Sequence, residues 1–185
     1  MPNKYNVKKN MKARATYIAF DADAVQDEVN SNLHTLRKLA EWQRSYPSRF
    51  NFVNMHEIEF SAMHDDLLET TTKTRFLKLM AEADNLLVVA SPVLNTESHI
   101  LNWQISRCVN RFHLPVIIAY AGLEELGDDS IQKFWTWLPN KPRKYIGLDS
   151  ARMAHIPLTR DKLERALGTF SVNEQFYPWN STTIF

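Results

Sequence analysis

The chain has 185 residues, 44% of them hydrophobic, and 22 Lys and Arg against 21 Asp and Glu leave a net charge of +1. That length suits one domain with a real core, and near-neutrality supplies no field to draw it onto phosphate backbones or anionic lipid, so neither nucleic acid nor membrane is an expected partner. The single cysteine, Cys108, can form neither an intramolecular disulfide nor a Cys-rich zinc site. With no apolar signal-peptide core and no run approaching ~20 apolar residues, a cytoplasmic location is expected.

In chain order, residues 1–13 are polar and Lys-rich and read as a flexible basic tail. The domain itself is expected over 14–170, and the aromatic 171–185 as a tail lying on it. "ATYIAF" at 15–20 predicts a strand running into the turn "DADA". Val25, Val29, Leu33, Leu36, Leu39 and Ala40 then recur at helical spacing over 24–44. "RFNFVNM" at 49–55 predicts a second strand, and 56–72, with no clean period, a long loop with a helical turn near 63–69. Phe76, Leu77, Leu79, Met80 and Ala83 give a helix over 73–84, and "NLLVVAS" at 85–91 an unbroken apolar strand of the kind buried on both faces. A helix over 98–112 and a strand over 114–122 follow. Beyond them come a helix over 128–138, a short fifth strand at 143–148, and a helix over 158–168 capped by Thr159 and stopped by Gly168. The alternation predicts an α/β fold of the flavodoxin-like kind, with about five parallel strands and helices on both faces.

Only 4 glycines occur, none between 15 and 121. This excludes the glycine-rich dinucleotide fingerprint and the P-loop, whose backbones must approach phosphate closely. In an open parallel sheet, ligands bind beyond the carboxyl ends of the strands, so Asp21 and Asp23 in the first loop are candidates to hold a ribose, a metal or a helix N-terminus. The six histidines form no H-E-x-x-H pair, and although His56 and His64 share a loop, no metal is expected. Ser91 lacks the glycines of a nucleophile elbow, and Cys108 sits within a helix, so both read as packing or loop residues. Phe134, Trp135 and Trp137 read as core rather than as a stacking platform, because no basic run interleaves them.

"TYIAFDADAVQDEV", "FNFVNMHEIEF", "FLKLMAEADNLLVVASP" and above all "SHILNWQISRCVNRFHLPVIIAY" form an ordered series over 14–122. The series resembles TIR-like domains of bacterial anti-phage defence, of the Thoeris ThsB type. In that family a "W-E-I" or "Y-E-I" triplet precedes a buried "P-I-I" strand; here the triplet is Trp103-Gln104-Ile105. The resemblance implies that Gln104 stands at the position of a catalytic glutamate acting on NAD+ as substrate. It also implies that Phe20, Asp21, Ala22 and Asp23 line the nucleotide side of a cleft, with Ser91 and Trp103 near the ribose. It further implies cleavage of the nicotinamide glycosidic bond and a cyclic or conjugated ADP-ribose signal that reaches a separate effector protein by diffusion. A phage-derived trigger and self-association belong to the same expectation.

The glutamine departs from that pattern. Loss of nicotinamide develops oxocarbenium-like charge on the ribose. A carboxylate at about 5 Å, at an effective dielectric near 20, is worth roughly 3 kcal/mol against it, about a hundredfold in rate. Three accounts of Gln104 stand open: a designed Glu-to-Gln replacement, a natural loss that leaves a binding or scaffold domain, or a variant whose carboxylate comes from elsewhere. Glu97 is one instance: on a helix it would lie seven residues before Gln104 on one face, about two turns away, a separation that argues against direct substitution. The reading carried forward is an impaired NAD+-cleaving enzyme. The alternatives are a non-catalytic TIR-like assembly module and a nucleoside 2-deoxyribosyltransferase-like enzyme.

Overall fold

The structure is a computed structural model that describes residues 14–21, 32–61, 70–172 and 182–184. The expected tail at 1–13, the first ten residues of the expected 24–44 helix apart from 32 and 33, and the expected helical turn at 63–69 fall largely or wholly outside those residues.

Among the described residues six strands form one parallel sheet: β1 (Ala15–Ala19), β2 (Asn51–Phe52), β3 (Asn85–Ala90), β4 (Val116–Tyr120), β5 (Met153–Pro157) and β6 (Thr182–Ile184), in the order β2-β1-β3-β4-β5-β6. The chain moves from β1 outward to β2 and then returns to β1's other side at β3. The sheet therefore has its topological switch point between β1 and β3, as in flavodoxin-like folds. Every residue of β3, β4 and β5 is buried, which requires cover on both faces and explains the unbroken apolar runs of β3 and β4. The helices are α1 (Leu33–Ser45), α2 (Met55–Ser61), α3 (Thr70–Ala81), α4 (His99–Asn110), α5 (Ser130–Lys133), α6 (Asn140–Leu148) and α7 (Arg160–Thr169). Arg49 binds Glu164 at 3.1 Å and Arg160 donates to the Tyr46 hydroxyl at 3.3 Å, which joins the end of α1 to α7 on one face. On the other face α4 packs against α3, α6 and β1.

Four expectations are corrected. Residues 143–148 are helix, within α6, and not a strand. Pro139 and Pro142 open the helix where its first N–H groups lack partners anyway, Pro142 and Tyr145 bury one face, and Asp149 at φ 47° closes it in the left-handed conformation. The fifth strand is instead "MAHIP", which ends on Pro157 and buries His155. The stretch after β2 is not all loop, because Met55 and Ile58, one helical turn apart, are both buried in α2. The expected 128–138 helix is the single turn of α5 followed by a 3-10 turn at Trp135–Trp137.

Smaller differences lie at the last helix and the C-terminal segment. Thr159 occupies the N-cap position of α7 without a side-chain bond, and Gly168 lies inside the helix, which continues to Thr169. Of the C-terminal segment, Thr182–Ile184 does not merely lie on the domain: it pairs with β5 as a sixth parallel strand.

The short β2 leaves much of β1 unpaired on that side. The Asn54 side chain substitutes for it: the Ile18 N–H donates to Oδ1 at 2.9 Å, and Nδ2 donates to the Ile18 carbonyl at 2.7 Å. Both residues are fully buried, and a carboxamide carries both the donor and the acceptor that this needs. Asn54→Ala is expected to cost about 2–4 kcal/mol by orphaning both backbone groups. Urea unfolding would measure it, and a change within about 0.5 kcal/mol would mean that the backbone finds other partners.

Candidate functional site

The carboxyl ends of β1 and β3 carry Phe20, Asp21 and Ser91, all buried. Gln104 comes to the same place from the second turn of α4, because the Ser98 hydroxyl caps that helix by accepting from the Leu101 N–H at 3.3 Å. The Gln104 side chain is fully buried. Its Oε1 accepts from the Tyr17 hydroxyl at 2.9 Å and from the Phe20 N–H at 3.5 Å. Its Nε2 donates to the Phe20 carbonyl at 2.7 Å and to the Ile100 carbonyl at 3.3 Å. Gln104 thus grips the peptide groups of Phe20 as Asn54 grips those of Ile18, two residues earlier on β1.

Burial, reinforced by Cys108 and Glu57, raises the Tyr17 hydroxyl well above its ordinary pKa, so it stays protonated and donates to Gln104. Cys108 is also fully buried, and its thiol is pushed well up by loss of solvent. A protonated, enclosed thiol is no nucleophile. Ser91 Oγ donates to Asn32 Oδ1, and Asn32 Nδ2 donates to the Val89 carbonyl at 3.1 Å. These bonds tie the end of β3 to the start of α1 across the switch point.

The structure thus gathers Phe20, Asp21, Ser91 and Gln104 at one sheet edge. Ala22 and Asp23 lie outside the described residues. Trp103, half-buried, turns toward α3: Lys73 Nζ lies 5.9 Å and Arg107 Cζ 6.0 Å from its ring centre. Glu97 precedes α4 rather than belonging to it, and its carboxylate accepts from Asn140 Nδ2 at 2.6 Å and meets Arg143 at 3.6 Å. It is held on α6 and does not stand in for a carboxylate at position 104.

Tyr17, Asn32 and Asn54 escaped the sequence reading. Each looks ordinary in its own segment, and each matters through a partner far along the chain. Phe134, Trp135 and Trp137 are half-buried and pack against the core, with Phe134 touching both Tyr120 and Trp137. His155 is fully buried on β5, its Nδ1 lying 2.9 Å from the Tyr120 hydroxyl. Among the described residues no three His, Cys, Asp or Glu side chains converge as a metal site, and no helix is long and apolar enough to cross a membrane. No family model and no curated protein matches the chain.

Proposed function

We propose that this is a TIR-like protein of bacterial anti-phage defence that receives NAD+ at the carboxyl edge between β1 and β3. In its present form it cleaves the nicotinamide glycosidic bond only weakly. One observation carries the reading: the side chain at the position where the resembling family has its glutamate is buried at the topological switch point, against the peptide that leads into Asp21. In the proposed reaction a carboxylate there opposes the positive charge that grows on the ribose as nicotinamide leaves, and the ADP-ribosyl product becomes the signal for a separate effector. Gln104 supplies no such charge, and its amide is already engaged by Phe20, Tyr17 and Ile100.

That engagement favours one second reading, a TIR-like assembly module without turnover. Nicotinamide release and NAD+ affinity, measured for the chain and for Gln104→Glu at neutral pH, separate the two. Cleavage predicts that both proteins bind NAD+ and that the glutamate variant turns it over about a hundredfold faster. If the folded glutamate variant releases no nicotinamide and neither protein binds NAD+, the enzymatic reading is wrong.

A further inference from the structure

Among the described residues α1 and α2 do not pack closely on one another, and a cavity of about 350 Å³ lies between them. Leu33, Leu36 and Ala40, at helical spacings of three and four, line it from α1, and Met55 and Ile58 line it from α2. All five are buried, so its walls are apolar. Ala40 contributes only a methyl group to the α1 wall, which keeps the space open.

The mouth is different. Arg37, Arg44 and Glu59 line it and are exposed, and two arginines against one glutamate leave it net positive. Arg44 reaches Glu59 at 3.2 Å and so bridges the two helices. Arg37 stands two turns nearer the start of α1, roughly 10 Å away along the axis. A volume of this size lies within the range of small-molecule pockets, about 300–1,000 Å³. Apolar walls under a positive mouth suit a ligand with an apolar body and one anionic end, because a guanidinium makes its strongest hydrogen bonds to a carboxylate. They do not suit a nucleotide, whose ribose hydroxyls and several phosphates would find no partners against those walls.

We propose that the cavity between α1 and α2 binds an amphipathic monocarboxylate, an alkyl carboxylate of medium length whose chain lies against the apolar walls and whose head group meets Arg37. The site is distinct from the edge between β1 and β3 and does not require the NAD+ reading. It nonetheless adjoins the segments that hold that edge: Leu33 follows Asn32, which holds Ser91 at the end of β3, and Met55 follows Asn54, which holds Ile18 on β1. An occupant joins the starts of both helices and stabilises the folded chain by mass action.

Calorimetric titration of the full chain with octanoate, well below its micelle concentration, tests the proposal, with octanol as the uncharged comparison. One octanoate per chain is expected, with a Kd below about 1 mM, and octanol is expected to bind about tenfold more weakly. Methyl resonances of Ala40, Met55 and Ile58 are expected to shift on titration, which locates the ligand. Arg37→Gln is expected to weaken octanoate about tenfold and to leave octanol unchanged, which separates loss of the charge contact from damage to the cavity. Ala40→Leu fills the space and is expected to abolish binding of both ligands, with circular dichroism to verify its fold. Should that variant not fold, Arg37→Gln, with an exposed side chain, still decides the matter. No octanoate bound at about 1 mM, equal affinity for octanol, or octanoate binding unchanged in Arg37→Gln overturns the proposal.

Discussion

Gln104→Leu is expected to unfold at markedly lower urea, with a loss of about 3 kcal/mol. The substitution fits the volume but strands the Tyr17 hydroxyl and the Phe20 carbonyl in a buried setting, each at about 1–3 kcal/mol. Gln104→Glu is the more informative change. A carboxylate accepts but does not donate, so it would face the Phe20 carbonyl, now 2.7 Å from Nε2, as one acceptor against another. Burial and this repulsion raise its pKa above the ~4.3 of a solvated glutamate. Protonated, it again donates to Phe20 and accepts from Tyr17. The folded state then holds the proton more tightly than the unfolded state. The deficit relative to the parent is therefore smallest below about pH 4.3 and grows as pH rises through the folded pKa. Unfolding of parent and variant side by side between pH 5 and pH 8 measures this difference. A deficit independent of pH would mean that the glutamate has left the Phe20 peptide.

The second large effect is acid sensitivity centred on His155. Loss of solvent lowers its pKa from 6.5 to about 4, and its Nε2 has no hydrogen-bond partner among the described residues. The folded imidazole stays neutral where the unfolded one takes a proton. The stability it contributes is complete above about pH 6.5 and is lost as pH falls through 6.5 toward 4. Between pH 7 and pH 5 the loss comes to about 2 kcal/mol. His155→Gln keeps a polar partner for the Tyr120 hydroxyl but does not titrate. Its stability, whatever its absolute level, is expected to fall much less over that interval. Parallel curves for parent and variant would place the acid sensitivity elsewhere.

Legibility in the sequence followed burial symmetry. β3 and β4 lie in the middle of the sheet with both faces covered, so their apolar residues run unbroken and announce themselves. β5 is just as buried, but it carries His155, follows the buried Arg152 and ends in proline, and these mask the strand signal. In α6 the stretch "YIGL" has the composition of a strand, while the helix is set by the prolines at its start and the left-handed residue at its end. At the candidate site, position 104 was legible, but its bonds were not. The partners Tyr17 and Phe20 lie 87 and 84 positions away, and no local pattern connects them. Nor does sequence spacing reveal that Glu97 is held by Asn140 and Arg143 of α6.

The carboxamides of Asn54 and Gln104 also bear on how the molecule avoids its own kind of strand pairing. A two-residue edge strand leaves β1 exposing peptide groups at Ile18 and Phe20, the template on which an extended segment of another chain could add in register. Each of those peptides is instead closed by one side chain that mimics a peptide's donor and acceptor. Loss of either amide would therefore do more than lower stability. It would reopen a ladder position at the sheet's margin, and the damaged protein would be inclined toward aggregation before it was fully unfolded.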